Sequence, residues 1–377
     1  MESARRVAVA VGSRGIAGLP MMVGAIVAGL DELGVESVIV PAMGSHGGAT
    51  AEGQRAVLAH LGVTPETVGA PIHSSMEVVE IGTVRSPLGR TVPLNFDAFA
   101  WRETDAVIPV NRIKPHTGFR GPIESGLCKM LAIGLGKHAG AGRLHAEGYG
   151  VFDRLILEAG REILSAGRIA FGVGIVENAY EETALVEAIP ADRIVEREQE
   201  LLEEARRLMP RLLMGEVDVL VVERFGKNIS GIGMDANITG RGELGLPLPR
   251  FDGPRIGRIV VLRLTPETTG NAHGIGLADV ITQHAFDQID LEMTWVNSLT
   301  AGSLACGRIP IAVPGDDEAI AAAVGAVPGK PADEVTIVRI RDTLSLSEIA
   351  VSDNLAVACQ GTDGWEPAGP WDGSWHH

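Results

Sequence analysis

The chain has 377 residues, of which 45% are apolar and 21% are charged, a composition typical of folded globular domains and unlike that of a disordered chain. The formal net charge of −16 disfavours binding to nucleic acid or to an anionic membrane surface, and no run of apolar residues predicts a membrane span. Three cysteines without a CxxC spacing indicate a reducing compartment, so we expect a cytoplasmic protein.

The first part of the chain alternates apolar runs with glycine-rich loops and amphipathic segments. Residues 7–11 predict a strand, the loop GSRGIAGLP follows, and residues 21–33 predict a helix. The same order recurs with a strand at 37–41, the loop MGSHGGAT, and a helix that begins after Thr50 as N-cap and ends at residue 61. Two such βα pairs predict a parallel sheet whose loops gather at the carboxyl ends of its strands.

The pattern continues along the rest of the chain. The later elements that we expect are strands at 106–110, 169–175, 217–222, 259–264, 309–313 and 335–340, and helices at 152–165, 191–208, 277–286 and 317–324. We therefore predict an α/β protein of two domains with mainly parallel sheets and an active-site cleft between them. The first domain spans 1–212, the second spans 213–360 and closes over the substrate, and residues 361–377 form a mobile tail rich in Pro and Gly.

Positive charge is concentrated in one segment of this acidic chain. Between positions 112 and 143 there is a single acid, Glu124, and the basic residues are Arg112, Lys114, Arg120, Lys129, Lys137 and Arg143. A cluster of this kind attracts an anionic ligand, and a cleft would focus its field. Ion pairing with the other domain is the alternative explanation.

Three histidines lie in or beside glycine-rich loops. They are His46 in GSHGG, His116 in KPHTGF and His145 in GRLHAEG. An unperturbed histidine has a pKa of about 6.5 and exchanges protons at neutral pH. A loop at the carboxyl edge of a sheet presents such a side chain to a ligand. Taken singly, each of the three also fits a structural or surface role.

Lys129 lies in the unusually apolar context SGLCKMLAIGLG. Burial would lower the pKa of its amine and make it nucleophilic, so that it can form a covalent bond with a ligand. The alternative is a lysine whose stem packs on a half-buried helix while its ammonium group reaches water. The neighbouring Cys128 is expected to be a small core residue.

Glycine-rich loops supply further candidates. GSRGIAG and GSHGGAT each precede a helix and can offer backbone N–H groups to a phosphate, although neither matches a known nucleotide-binding motif. The loop GKNISGIGMDANITGRG follows the predicted strand 217–222. Its candidates for closing over a ligand are Lys227, Asn228, Asp235, Asn237 and Arg241. A long surface loop without a ligand is the alternative there.

The chain resembles the nickel-pincer-nucleotide lactate racemase family in the ordered set SRGIAGLP, MGSHGG, KPHTGF, Lys129 and His145. Members of that family racemise or epimerise 2-hydroxy acids. The resemblance implies a cofactor, the pyridinium-3-thioamide-5-thiocarboxylic acid mononucleotide with nickel, held covalently by Lys129. It implies His145 as the nickel ligand and His46 and His116 as the acid/base catalysts on the two sides of the substrate.

The same resemblance implies additional contacts and partners. The further cofactor-binding residues would be Arg14, Ser13, Gly47, Gly48 and Gly118. The substrate-binding residues would be Arg14, Lys227 and Asn228. The implied partners are a small anionic 2-hydroxy acid and the proteins that synthesise the cofactor. The oligomeric state stays open, and a homo-oligomer is one of the options.

Two departures from the family pattern concern the substrate. Lactate-specific members have an aspartate three residues before the loop arginine, where this chain has Val11 before Arg14. They also use a tyrosine of the second domain, whereas the only tyrosines here are Tyr149 and Tyr180. We therefore expect a 2-hydroxy acid other than lactate.

Two other functions fit the same residues. In the first, His46, His116 and His145 bind zinc directly in a hydrolase or lyase, and Lys129 polarises the substrate. In the second, the glycine-rich loops hold a nucleotide in a protein without catalytic activity. The metal content, the mass of the Lys129 peptide and the turnover of hydroxy acids distinguish the three functions.

Overall fold

The structure, a computed structural model, describes residues 4–249 and 251–375. The chain divides into two compact units, Met1–Met209 and Pro210–His377, and each contains a mainly parallel sheet with helices. The predicted α/β fold class with mainly parallel sheets is confirmed. Among the described helices, none combines the length and the apolar character that crossing a lipid bilayer requires.

The first unit contains seven strands and eight α-helices in its described residues. The strands are β1 (Arg6–Val11), β2 (Glu36–Pro41), β3 (Val78–Arg85), β4 (Thr91–Asp97), β5 (Ala106–Arg112), β6 (Phe171–Glu177) and β7 (Thr183–Pro190). The helices are α1 (Leu19–Glu32), α2 (Ala51–His60), α3 (Pro65–Val68), α4 (Ala98–Arg102), α5 (Leu127–Lys129), α6 (Lys137–His145), α7 (Phe152–Ser165) and α8 (Ile194–Leu208).

A five-stranded sheet with the order β2-β1-β5-β6-β7 organises the first unit. The first four strands are parallel, β7 is an antiparallel edge strand, and β3 and β4 form a separate hairpin. Along β1, Val7, Val9 and Val11 pack into one core, whereas Ala8 and Ala10 pack into another. Because successive side chains of a strand point to opposite faces, this continuous apolar run forms a strand buried on both sides.

Local sequence signals position the helices that follow these strands. Thr50 is the N-cap of α2, where its side chain accepts a hydrogen bond from the N–H of Gly53, as predicted. The predicted helix 152–165 is confirmed as α7, which buries its apolar stripe. The helix expected at 191–208 begins with a short 3₁₀ turn, Ala191–Arg193, before α8.

The second unit has a six-stranded sheet in its described residues. Its strands are β8 (Glu216–Phe225), β9 (Arg255–Leu264), β10 (Val280–Thr282), β11 (Ile311–Val313), β12 (Ile337–Ile340) and β13 (Ala350–Val351). Its helices are α9 (Ala236–Thr239), α10 (Gln283–Asp287), α11 (Leu291–Thr300), α12 (Asp316–Gly325) and α13 (Asp353–Ala358). The sheet order is β11-β10-β9-β8-β12-β13, and only β13 is antiparallel to its neighbour.

The prediction of a helix at 277–286 is wrong. Its central part is β10, in which Val280 and Ile281 pair in parallel with β9 and are buried. Thr282 then caps α10 by accepting a hydrogen bond from the N–H of Ala285. The pairing with β9, a buried strand of the sheet, outweighs the helical spacing of the apolar residues. This pairing cannot be predicted from the local sequence pattern.

Tryptophans of the predicted tail, residues 361–377, contact the second unit, although most of the described tail residues are exposed. The guanidinium carbon of Arg339 lies 4.3 Å from the centroid of the Trp371 ring. The indole N–H of Trp375 donates a hydrogen bond of 2.8 Å to Glu223. Trp371 and Trp375 thus contact β12 and β8, and the mobility of the tail stays a prediction.

Candidate functional site

Three loops with candidate residues follow three adjacent strands of the first sheet. The loop after β1 contains Ser13 and Arg14, the loop after β2 contains His46, and the segment after β5 contains His116. Since β2, β1 and β5 are neighbours and parallel, their carboxyl ends lie at one edge of the sheet. The fold therefore places the three loops side by side.

Lys129 lies at the junction of two kinds of helix. It is the last residue of α5, and a π-helical turn, Met130–Gly134, continues the chain. The N–H of Gly44, in the loop of His46, donates a hydrogen bond of 3.1 Å to the carbonyl of the last residue of this turn. A Cβ atom on Gly12 would lie 3.2 Å from the side chain of the first residue of the turn. Both glycine-rich loops thus pack against the segment that follows half-buried Lys129, and π turns of this kind are frequent at functional sites.

The loop around His116 fixes both the backbone and the ring of that residue. Its N–H donates a hydrogen bond of 2.6 Å to Glu124, and its carbonyl accepts one of 2.5 Å from Arg120. The ring Nδ1 accepts a hydrogen bond of 2.9 Å from the N–H of Gly118. The Gly118 N–H, which the resemblance assigned to cofactor binding, is therefore used to orient the histidine.

Several basic groups act on the His116 ring. Burial lowers its pKa well below 6.5, and Lys129, His145, Arg120 and Arg14 lower it further when they are protonated, in that order of effect. Both effects favour the uncharged ring.

Glu124 is the buried centre of the His116 loop. Besides the N–H of His116, its carboxylate accepts hydrogen bonds from the N–H of Gly121 at 3.1 Å and from Arg120 at 3.3 Å. Arg206 of α8 donates a further hydrogen bond of 2.5 Å. With its side chain fully buried, the carboxylate is offset by two guanidinium groups. The sequence marked Glu124 only as the single acid of the basic segment, and that contrast is the signal that could have identified its role.

His145 ends α6 with its ring oriented by a backbone contact. The ring Nδ1 lies 2.7 Å from the carbonyl oxygen of Ala141. Because a carbonyl only accepts hydrogen bonds, Nδ1 carries the proton and Nε2 carries the lone pair of the neutral ring. An imidazole whose other nitrogen donates to a carbonyl is the usual arrangement of a metal-binding histidine.

An aromatic cluster links the surroundings of His116 and His145. The ring centroid of Tyr149 lies 6.1 Å from that of His116 and 6.4 Å from that of His145. Phe119 lies 4.4 Å from His116, and Phe152 lies 4.9 Å from His145. These rings form an apolar cluster beside His116 and His145 that could not be predicted from their scattered positions in the sequence.

The turn after His46 depends on glycine. Gly47 and Gly48 adopt φ values of +65° and +64°, in the left-handed region that favours glycine. A Cβ atom on Gly47 would also lie 2.5 Å from the carbonyl carbon of Gly53 at the start of α2. His46 is exposed and lies at the start of this turn. The turn therefore presents the His46 imidazole at the edge of the sheet.

A buried carboxyl group supports the start of α5. Glu198 of α8 accepts a hydrogen bond of 2.8 Å from the N–H of Cys128, and burial raises the pKa of Glu198 to about 7. A Cβ atom on Gly126 would lie only 2.1 Å from the other Glu198 oxygen. Cys128 itself is fully buried and is a core residue, as expected.

A buried ion pair supports the start of α6. Lys137 has a φ of +54° and is fully buried, and its Nζ lies 2.9 Å from Asp97 at the end of β4. The same ammonium donates a hydrogen bond of 2.5 Å to the carbonyl of Pro41. The pair therefore connects the helix that carries His145 to the end of β2, from which the His46 loop begins.

Lys227 and Asn228 lie in the second unit, after β8. The Lys227 ammonium donates hydrogen bonds of 2.7 Å to the carbonyl of Gly231 and 2.8 Å to Asn297. Asn228 is exposed, and its side-chain oxygen accepts a hydrogen bond of 2.6 Å from Thr265. Next to the Asn297 contact is an open cleft of 470 Å³, lined by Asn271, Asp290, Glu292, Met293, Val296 and Asn297.

The other polar candidates of this loop hold its own structure together. Asp235 accepts a hydrogen bond of 2.8 Å from the N–H of Asn237 at the start of α9. Arg241 forms an ion pair of 2.7 Å with Asp279. These contacts within the second unit account for the polar character of the segment in structural terms.

Comparisons with known proteins give a match in fold. No protein-family model matches the chain, and no curated protein matches it in sequence. A protein from Thermotoga maritima is similar in structure with a TM-score of 0.54 at 14% identity, over 91% of this chain and 93% of that one. The lactate racemase apoprotein from Thermoanaerobacterium thermosaccharolyticum is similar with a TM-score of 0.52 at 12% identity, over 91% of this chain and 86% of that one. The chain has a lactate racemase-like fold.

Within this lactate racemase-like fold, the loops of Ser13, Arg14, His46 and His116 lie at one edge of the first sheet, whereas Lys227 and Asn228 belong to the second unit. In residues 4–249 and 251–375, no three His, Cys, Asp or Glu side chains form a group that could hold a metal ion. His46, His116 and His145 thus do not make a three-histidine site there.

Proposed function

We propose that this chain is an isomerase that racemises or epimerises a 2-hydroxy acid other than lactate, through a 2-keto intermediate. The observation that carries the proposal is the arrangement of Arg14, Lys129 and His145: the loop of Arg14 packs against the turn that follows Lys129, and Tyr149 lies near the rings of both His116 and His145. Together they offer an amine, a metal-binding imidazole and a cation at the carboxyl edge of a lactate racemase-like fold. Those are the groups that the resemblance assigns to this chemistry.

The residues fit a nickel-pincer nucleotide. Lys129 would hold it covalently, and the Nε2 lone pair of His145 would bind the nickel, which favours sulfur and imidazole donors. The backbone of Gly47 and Gly48 and the side chains of Ser13 and Arg14, in the two loops that pack against the Lys129 segment, would contact the nucleotide. When bound, such a cofactor accepts a hydride from C2 of the substrate and returns it to either face of the planar 2-keto acid.

The protein's own side chains would bind and orient the substrate. A carboxylate needs a cation, and Arg14 and Lys227 are proposed for this contact, with Asn228 as a hydrogen-bonding partner. His46 and His116 are proposed to face the substrate hydroxyl, whose proton must leave as C2 becomes planar. Phe119 and Tyr149 would exclude water from the reacting carbon.

Turnover of single enantiomers tests the proposal. Protein purified from a host that synthesises the cofactor is incubated with one enantiomer of each acid in a panel of 2-hydroxy acids, and the product is analysed by chiral chromatography. We expect His46→Ala and His116→Ala to lose activity and keep nickel, and His145→Ala to lose nickel. His60→Ala, at the exposed end of α2, is the matched control and should match the wild type.

Two results would contradict the proposal. If nickel-loaded protein converted none of the acids, the isomerase function would fail. If the His46, His116 and His145 variants all lost metal equally, a histidine-bound metal hydrolase or lyase would be favoured instead.

The cellular context follows from the same proposal. We propose a cytoplasmic enzyme, because the cofactor has to be supplied by synthesis proteins during maturation and the cysteines are free in the structure. The small anionic substrate would be attracted by Arg14 and Lys129, because Arg112, Arg120 and Lys137 of the basic segment pair with carboxylates of the first unit.

A further inference from the structure

The protonation pattern of the His116 ring follows from its hydrogen bond to Gly118. A backbone N–H can only donate, so the Nδ1 atom that lies 2.9 Å from it accepts and carries no proton. A neutral imidazole has one ring proton, which must then be on Nε2. If the ring were protonated on both nitrogens, its Nδ1–H would point at the Gly118 N–H. Two donors that face each other repel.

The loop that sets this state is held by Glu124. Its buried carboxylate accepts the N–H of His116 at 2.6 Å and the N–H of Gly121 at 3.1 Å, so it fixes the loop on both sides of Gly118. Arg120 joins the carbonyl of His116 to the same carboxylate, and Arg206 holds it from α8. The ring therefore has little freedom to exchange its Nδ1 partner.

The charges around the ring favour the same state. Arg120 and Arg14, which keep their positive charge when a cofactor is bound, disfavour a positive charge on His116. Glu124 is the acid of the loop, and its carboxylate is directed at the His116 backbone and at two guanidinium groups. A neutral ring with a fixed Nε2–H is a hydrogen-bond donor and has no lone pair on the nitrogen that bears the proton.

We propose that His116 serves the substrate oxygen as a neutral Nε2–H hydrogen-bond donor, held in this state by Glu124 as a positioning residue, while His46 carries the proton. This inference rests on the proposed function. The hydroxyl proton would move to the His46 imidazole, and the O–H electron pair would form the C2=O bond as C2 gives up its hydrogen as hydride, for which a bound cofactor would supply the acceptor. In the reverse direction the hydride would return to the other face of C2 and the proton would return from His46 to the oxygen. His116 keeps its proton throughout.

Nitrogen NMR of the purified full-length chain tests the tautomer. The protein is labelled with ¹⁵N-histidine, and the His116 signals are assigned by their loss in His116→Ala. We expect a protonated Nε2 and an unprotonated Nδ1 across neutral pH. A protonated Nδ1, or a doubly protonated ring, would overturn the proposal. This measurement needs no turnover, so it is decided independently of the isomerase function.

Two carboxylate variants test the role of Glu124. Glu124→Gln replaces a charged acceptor by an amide that cannot accept from all its donors, so we expect the single Nε2–H state of His116 to be lost. Glu203→Gln is the matched control, because exposed Glu203 pairs with the other side of the Arg206 guanidinium. It should leave the His116 signals unchanged. Unchanged signals in Glu124→Gln would remove Glu124 as a positioning residue.

Turnover of the loaded enzyme tests the division of labour between the two histidines. A glutamine amide can donate a hydrogen bond but cannot carry a proton, so His116→Gln should retain at least about tenfold more activity than His116→Ala. His46→Gln and His46→Ala should be equally inactive. If glutamine failed to rescue either position, His116 would be a proton carrier and the proposal would be overturned. If wild-type protein turned over no acid, the proposed function would fail and the NMR result would still decide the tautomer.

Discussion

Glu198 is a carboxyl group buried under the start of α5, and its ionisation should make the stability of the first unit depend on pH. Burial raises its pKa from 4.5 to about 7, against the opposing effect of the Cys128 N–H. Between these values the folded state keeps a proton that the unfolded state releases, so the contribution of Glu198 to stability is greatest below pH 4.5 and is lost as the pH rises through 7. At about 1.4 kcal/mol per pKa unit, the loss is about 3 kcal/mol.

The variant Glu198→Gln removes the ionisable group and keeps an oxygen that can accept from the Cys128 N–H. Its stability relative to the wild type should therefore rise by about 3 kcal/mol between about pH 5 and about pH 8.5. The free energy of unfolding is measured by hydrogen exchange of peptides from residues 4–209 in increasing urea. Glu196→Gln, exposed on the same helix, should keep the wild-type pH profile. Parallel profiles for the wild type and Glu198→Gln would mean that Glu198 does not titrate with a raised pKa in the folded protein.

Two further predictions concern the supports of α5 and α6. Lys137→Met should lower the free energy of unfolding by about 3–5 kcal/mol in urea, because it leaves Asp97 charged and buried without its partner. The double variant with Asp97→Asn should recover most of the loss, and no recovery would exclude the ion pair as the cause. Gly126→Ala should lower the thermal midpoint, because its Cβ would meet Glu198 at 2.1 Å. Gly142→Ala, which meets nothing within 4 Å, should be neutral or stabilise by up to about 1 kcal/mol. Equal midpoints for the two alanine variants would contradict this.

The βα pairs of the first unit could be predicted from the sequence because their signals are local. Short stretches of sequence contain each of these signals: the apolar run of β1, the capping hydroxyl of Thr50 and the amphipathic stripe of α7. The order of the strands was not available from these signals. It nevertheless determines that the loops of Arg14, His46 and His116 become neighbours.

The supports of the site could not be predicted because they join distant positions. Glu124 meets Arg206 across 82 residues, and Lys137 meets the carbonyl of Pro41 across 96 residues. The hairpin of β3 and β4 was also missed, since only one residue of β3 is buried and the strand lacks a clear alternation. The π turn after Lys129 has no sequence pattern that distinguishes it from an α-helix.

The mass of the peptide that contains Lys129 tests the central claim most directly. The peptide is taken from full-length protein purified from a host that synthesises the cofactor, and nickel is measured in the same sample. We expect a covalent addition on Lys129 together with bound nickel, both lost in Lys129→Arg, which keeps the positive charge. An unmodified Lys129 in protein that still racemises a 2-hydroxy acid would contradict it.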